Sequence, residues 1–225
     1  MNTLHIAPEH EFEAQHGLPE LLPADERILW QGSPRWQSLA VTAFHVRKVA
    51  IYFAAILALR ATFTIADGGS LVDALLSVLL LAPLAVVALG LLALVARLSA
   101  RTAVYTITNK RVVMRIGVVL SVTFNLPFAS LDEASLKQYG DGTGDIPLHL
   151  AGQDRIAYLH LWPHVRPWRL ARAEPMLRAV PDAARVAGIL SRAMAGESAG
   201  RATEAATLVQ PARPPRATGE WAAAS

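Results

Sequence analysis

Histidine is the residue type in this sequence that most directly suggests metal or pigment chemistry. His160 and His164 lie four residues apart, a spacing that would put two imidazoles on one face of a helix. Pro163 and the alternating pattern around it oppose a helix there, and no nearby carboxylate completes a usual zinc site. His45 precedes a long apolar segment, where an imidazole could bind a chlorin magnesium, although headgroups or water are the commoner partners. We therefore predict no metal site and no bound cofactor.

Catalytic motifs do not occur in the sequence. There is no GxSxG motif, phosphate-binding loop or HExxH motif. The glycine-rich stretch 140–144 is flanked by strand patterns, which indicates a hairpin turn and not a phosphate cradle. The absence of cysteine excludes disulfides, thiolate metal sites and cysteine nucleophiles. We predict that the protein is not an enzyme. The 21 basic against 18 acidic residues give a net charge of only +3, which does not predict a nucleic-acid partner.

Tryptophan and arginine side chains cluster in the segment that follows the last predicted strand. Aromatic rings and guanidinium groups are enriched at the cores of protein interfaces, and aromatic residues also at membrane surfaces. The segment could therefore contact another protein, lie on lipid headgroups or pack internally, and all three interpretations stay open. The candidate interaction residues are Trp162, Arg166, Trp168 and Arg169, with Arg172 beside them.

Two apolar segments must position these side chains. Of the 225 residues, 53% are hydrophobic and only 17% are charged, which is too apolar for an ordinary soluble protein of this size. From Ala74 to Ala96 the chain carries no charge over 23 residues, roughly 35 Å of helix and enough to cross a bilayer. A second apolar stretch, Val49 to Ala66, is interrupted only by Arg60. Because the four-residue turn 67–70 separates them, we predict a transmembrane hairpin.

The orientation of this hairpin follows from the basic residues that flank it. Arg47 and Lys48 precede the first span, and Arg97 and Arg101 follow the second, whereas the turn between the spans has no Lys or Arg. Positive residues favour the cytoplasmic side of a membrane. We therefore expect a multi-pass protein of the cytoplasmic (inner) membrane, in contact with the lipid bilayer, with both termini in the cytoplasm.

Small side chains recur at every fourth residue along the first predicted span. Such a stripe lets the backbone of another helix approach closely. It could meet the second span or a different protein, including a second copy of this chain, and both alternatives stay open. The stripe consists of Ala50, Ala54, Ala58, Thr62 and Ala66, of which Ala50, Ala54 and Ala58 are candidate interaction residues.

After the second span the pattern changes from helical to alternating, which predicts a compact strand domain. A strand over 104–108, a tight turn at Asn109 and Lys110 and a return over 111–116 form a hairpin. Further strands are expected at about 120–126, 131–139, 145–150 and 155–162, and a helix begins near Pro181. The domains predicted are an N-terminal cytoplasmic segment 1–46, the transmembrane hairpin 47–98, the strand domain with its C-terminal helix 99–196 and a disordered tail 197–225.

Two motifs carry a family resemblance. Residues 28–34 (ILWQGSP) before the spans and 105–117 (YTITNKRVVMRIG) after them resemble bacterial pleckstrin-homology-like (PH-like) membrane proteins. Residues 11–13 (EFE), 17–19 (GLP), 44–48 (FHVRK) and 180–184 (VPDAA) resemble, more narrowly, the PuhB family of photosynthetic complex assembly proteins of purple bacteria.

The resemblance implies an α+β membrane protein in which a two-helix hairpin is joined to a cytoplasmic PH-like antiparallel β domain, capped by a C-terminal helix. It further implies a non-enzymatic assembly factor whose partners are reaction-centre and core antenna polypeptides. Two alternatives remain, a general membrane-organisation or membrane-stress protein and a bacteriochlorophyll carrier. The turn at Asn109 and Lys110 is too tight for an inositol-phosphate cradle, so headgroup recognition is not expected.

Overall fold

The computed structural model describes residues 17–18, 20–151, 156–170 and 172–208. Within these ranges the chain forms five helices, a short 3-10 turn at Phe128–Ser130 and eight strands. The resemblance motif 11–13 and Pro19 lie outside the described residues. The helices are α1 (Trp36–Thr42), α2 (Val46–Ala66), α3 (Leu71–Thr102), α4 (Tyr158–Leu161) and α5 (Ala183–Leu208). The strands are β1 (Ile28–Gly32), β2 (Val104–Thr108), β3 (Arg111–Ile116), β4 (Val122–Pro127), β5 (Leu131–Ala134), β6 (Lys137–Gln138), β7 (Gly144–Leu150) and β8 (Met176–Val180).

The two apolar segments form an antiparallel helical hairpin, as the sequence predicted. α2 has 21 residues and α3 has 32, so they extend about 32 Å and 48 Å at the usual helical rise. Ser70 caps α3, because its hydroxyl accepts from the Asp73 amide while the Asp73 carboxylate accepts from the Ser70 amide. Both helices are long and apolar enough to cross a membrane. Since a bilayer's hydrocarbon core is about 30 Å thick, α3 is longer than a span requires.

The first sheet is antiparallel, with strand order β1-β2-β3-β4. The hairpin of β2 and β3 has the predicted bounds, and its turn residue Asn109 accepts a hydrogen bond from the Arg27 amide at 2.8 Å. β1 pairs with β2 although the whole helical hairpin separates them in the sequence. The expected separate N-terminal segment 1–46 is therefore wrong for residues 28–32, which supply an edge strand of the strand domain.

The second sheet is built around β7, which pairs with β5 and β6 on one side and β8 on the other. The single strand expected over 131–139 is split into β5 and β6. The strand expected over 155–162 is wrong, because Tyr158–Leu161 is one helical turn, α4, and the fourth strand of this sheet is instead β8. Residue 155 lies outside the described part of the chain.

The two sheets and α5 enclose the main hydrophobic core. On α5 the buried side chains are Ala183, Val186, Leu190 and Ala193, at the helical spacing that the sequence showed. α5 continues to Leu208, so the tail predicted to be disordered from residue 197 is helical over its first twelve residues, and 209–225 lie outside the described residues. The largest core residues contributed by the sheets are Tyr105, Ile107, Met114, Ile116, Ile146, Leu148 and Leu177.

Candidate interaction surface at the helical hairpin

The small-residue stripe of α2 faces away from α3 at its centre. Ala54 and Ala58 are exposed, and Ala50 is half-buried near the start of the helix. α2 contacts α3 through a different face, which includes Phe53, Leu57 and Thr64. The structure therefore excludes the alternative in which Ala54 and Ala58 pack against the second helix.

Alanine residues of α3 are buried along the hairpin. Ala74 and Ala85 are buried in the part of α3 that lies beside α2, whereas Ala96, eleven residues further on, packs on α1. Thr64 of α2 donates a hydrogen bond to the Ser77 hydroxyl of α3 at 3.3 Å. Small side chains on one helix allow close approach of its neighbour. The stripe on α2 consequently remains available along the outside of the hairpin.

The base of the hairpin, which we define as α1 with the last two turns of α3, joins the helices to the strand domain. Leu39 and Ala40 of α1 pack on Ala96 and Ala100 of α3, and Ala179 of β8 closes this cluster. The Arg35 amide donates to the Ala179 carbonyl at 2.8 Å. The C-terminal end of α3 is thus packed against α1, which fixes the hairpin relative to the sheets.

Aromatic side chains surround the base of the hairpin. Trp162, one of the predicted interaction residues, meets the Phe44 ring edge to face at 5.3 Å and is half exposed. The Arg97 guanidinium lies 5.6 Å from the centre of the Trp36 ring, within cation–π range. Trp36, Phe44 and Arg97 were not predicted as interaction residues; in the sequence Arg97 served only to orient the hairpin and Phe44 only as part of the motif 44–48.

Two arginines of the connector, the segment between α4 and β8, converge on one carboxylate. Arg166 donates to Glu174 at 2.8 Å, and the Arg169 Nε lies 3.8 Å from the other Glu174 oxygen. Trp168 between them is 92% exposed and has a positive φ of 65°. The structure therefore does not bring the four connector residues into one patch: Trp162 lies at the hairpin base, the two arginines are bound by Glu174, and Trp168 faces outward.

A buried polar network lies directly beneath the hairpin base. We define it as Tyr105, Asp145, His164 and Arg178, with Tyr139 at its edge. The Arg178 guanidinium donates to the Thr42 carbonyl of α1 at 2.9 Å and to the Pro163 carbonyl at 3.2 Å. Its Nε lies 3.7 Å from an Asp145 oxygen and, among the described residues, has no hydrogen-bond acceptor. One side chain thus connects α1, the connector and β7.

Asp145 is held by donors from three directions. Its carboxylate accepts from the Ala179 amide at 2.9 Å and from the Tyr139 hydroxyl at 2.6 Å, in addition to facing Arg178. A buried carboxylate needs such partners, because removal from water disfavours its charge. The sequence pattern did not predict this ion pair; an arginine inside the otherwise apolar strand β8 is the signal that could have indicated it.

The protonation states of the network follow from its hydrogen bonds. The Arg178 amide donates to the Tyr105 hydroxyl oxygen at 3.2 Å, so the Tyr105 hydroxyl is free to donate to His164 Nδ1 at 2.5 Å. This arrangement assigns the His164 proton to Nε2. Burial, reinforced by the positive Arg178, lowers the pKa of His164 to about 3, and burial raises the pKa of Tyr105. Both rings are neutral at physiological pH.

The three histidines considered as ligands lie in different surroundings. His45 is exposed at the start of α2, and His160 is exposed on α4, whereas His164 is buried and bonded to Tyr105. Within the described ranges, no three His, Cys, Asp or Glu side chains are grouped as a metal site would require. His160 and His164 therefore do not form the pair that their spacing allowed.

Comparison with known proteins gives two matches. The family model described as bacterial PH domain matches residues 39–194, a range that includes most of α1, the helical hairpin and the strand domain. A protein of Rhodobacter capsulatus, named "Uncharacterized 23.7 kDa protein in puhA 5'region", is 39% identical over 186 residues, which is 82% of this chain and 87% of that protein. No solved structure matches the chain.

The family model covers well over half of the chain and treats the hairpin and the strand domain as one unit. In the structure α3 of the hairpin leads directly into β2 within that range, and β1, which precedes the range, pairs with β2. The antiparallel sheets with their C-terminal helix are the strand domain that such a family implies. The chain belongs to the bacterial PH domain family.

Proposed function

We propose that the protein is a PuhB-type, non-enzymatic assembly factor for the photosynthetic reaction centre and its core light-harvesting complex. One observation carries the proposal: a relative that matches 82% of this chain at 39% identity is named for its position in the puhA 5′ region, which suggests a link to photosynthesis genes. The resemblance of residues 44–48 and 180–184 to the PuhB family supports the same assignment.

In this proposal α2 and α3 cross the inner membrane and both termini lie in the cytoplasm. The exposed Ala54 and Ala58 support lateral docking, because an outward stripe of small residues suits close contact with a helix of another membrane protein. The packed hairpin base supports a scaffold role, since it holds the strand domain in a fixed position relative to the spans. The strand domain would then contact the cytoplasmic surface of the complex under assembly.

Co-purification tests this function. The tagged chain, extracted in mild detergent from cells that make photosynthetic complexes, should recover reaction-centre or core antenna polypeptides. Recovery of lipid and of the chain alone would instead favour a membrane-organisation protein. A preparation that absorbs as bacteriochlorophyll without those polypeptides would favour a pigment carrier.

A pair of variants locates the contact on the stripe. Ala54→Leu/Ala58→Leu should weaken recovery of the complex about 5- to 150-fold, because overpacking a close helix contact costs about 1–3 kcal/mol. Ala55→Leu makes the same change on the adjacent exposed face of α2 and should leave recovery unchanged. Membrane insertion should persist in both variants. Equal recovery from the two would contradict docking through the stripe.

A further inference from the structure

The turn between β3 and β4 exposes an unusual run of large apolar side chains. Val118 is half exposed, whereas Val119 and Leu120 are 91% and 81% exposed. No charged residue occurs between Gly117 and Ser121. Gly117 permits the tight turn, because it adopts a φ of +131° and a Cβ there would lie 2.0 Å from the Leu120 carbonyl oxygen. The backbone therefore holds Val119 and Leu120 out of the domain.

Strand register places this turn at the same end of the sheet as the helical hairpin. α3 ends at Thr102 and β2 begins at Val104, which pairs with Arg115 near the end of β3. β3 and β4 then close the turn through the pair Ile116 and Val122. Because β3 runs toward the hairpin, the apolar tip projects past the sheet edge on the side where the spans emerge.

The apolar tip continues the apolar surface of α3. Val118, Val95 and Leu98 line one cleft of about 330 Å³, together with Trp162, which is half exposed. Arg97 and Arg101 are exposed on the same turns of α3. Tryptophan and arginine next to an apolar span are typical of the boundary between hydrocarbon and headgroups. The surface around the tip thus has the composition of a bilayer interface.

We propose that the β3–β4 turn is a third membrane contact, in which Val119 and Leu120 insert into the interfacial layer of the bilayer beside α3. The proposal rests on the membrane insertion of α2 and α3 given above. The molecule that this turn contacts is lipid, because the turn is continuous with the lipid-facing side of α3. Its side chains carry no polar group that would orient a protein partner. The contact would fix the strand domain's tilt against the membrane.

Spin labels at single cysteines test the contact, and the cysteine-free chain needs no prior substitution. The full chain is labelled at Leu120→Cys, reconstituted into phosphatidylcholine–phosphatidylglycerol vesicles and exposed to oxygen, which favours lipid, or to a nickel chelate, which favours water. Leu84→Cys, exposed at the middle of α3, reports the span. Lys110→Cys reports the β2–β3 turn at the opposite end of the sheet, where the lysine forms only an exposed ion pair with Asp25.

We expect the labels at positions 120 and 84 to be more accessible to oxygen than to nickel, and the label at 110 to show the reverse. Adding Val119→Asp, a change at an exposed site that removes no packing, should move the label at 120 into water. A water-exposed label at 120 beside a lipid-exposed label at 84 would overturn the inference and leave the spans intact. Water exposure at 84 would overturn the membrane arrangement itself. Protection at 120 that appears only after reaction-centre complexes are added would assign the tip to a protein partner and also overturn the inference.

Discussion

Arg178 is a buried, charged side chain of the strand domain that binds the hairpin base, so its removal should be strongly destabilising. Arg178→Met keeps an unbranched apolar stem but removes the positive charge that faces Asp145 and the donors to the Thr42 and Pro163 carbonyls. Asp145 is almost fully buried, and removing one member of a buried ion pair costs about 3–5 kcal/mol. A loss of this size is a large share of the stability of an ordinary domain.

The assay is the free energy of unfolding of the strand domain, measured by pulse proteolysis in urea with the full chain in mild detergent. Arg185→Met makes the same change on the exposed face of α5 and should lose less than about 0.5 kcal/mol. Adding Asp145→Asn to Arg178→Met should recover part of the loss, because it removes the uncompensated charge. A loss below about 1 kcal/mol for Arg178→Met, or an equal loss for Arg185→Met, would refute the role of this ion pair.

Three further predictions concern the strand domain and its C-terminal helix. The pKa of His164 is depressed from its ordinary value of about 6.5 to about 3, so between these values the unfolded chain binds a proton that the folded chain does not. The free energy of unfolding therefore keeps its full value from this group above pH 6.5 and decreases as the pH falls toward 3. Unfolding measured between pH 6 and 4 should show a slope of about 1.4 kcal/mol per unit from this group, and His164→Gln should remove it; an unchanged slope would contradict the neutral, buried imidazole. Leu190→Ala should cost about 2–5 kcal/mol in the same urea assay because Leu190 is buried, whereas deletion of 200–225 should cost less than about 1 kcal/mol. A larger loss on deletion would show that the end of α5 supports the core.

Local patterns in the sequence predicted the elements whose partners are close in the chain. The turn at Asn109 and Lys110 joins two strands that pair with each other, and the turn 67–70 joins two helices that contact each other. In both cases the period of the apolar residues and the turn residues describe one local unit. These elements have bounds within a few residues of those expected.

Elements with distant partners were harder to predict. β1 is an edge strand only because β2 returns beside it after the helical hairpin, and no local pattern indicates that pairing. No strand was expected over the residues of β8, which precede the predicted last helix, whereas residues 158–161, expected to be strand, form α4. The apolar alternation there does not distinguish one helical turn from a strand.

The C-terminal segment shows how composition can mislead. Residues 197–208 are rich in small and polar side chains, which suggested disorder, but alanine, glutamate and arginine are also strong helix formers. Its first three turns pack on the sheets, and α5 then continues as a helix to Leu208.

The sequence does not show which face of each helix points outward, and the candidate interaction surface depends on those orientations. The stripe of α2 was visible, but only the packing of α3 through Ala74 and Ala85 shows that Ala54 and Ala58 face outward. The connector residues were recognised by type, yet Glu174, eight residues beyond Arg166, binds the two arginines and separates them from Trp162.

The amount of assembled reaction centre in cells that lack this gene tests the assembly function most directly. Reaction-centre absorbance per cell and the transcripts of its subunits are measured in the same cultures, with the wild-type gene or the Ala54→Leu/Ala58→Leu variant restored. We expect absorbance to fall while transcripts stay normal, with full recovery from the wild-type gene and partial recovery from the variant. Unchanged reaction-centre levels after deletion would contradict a role in assembly.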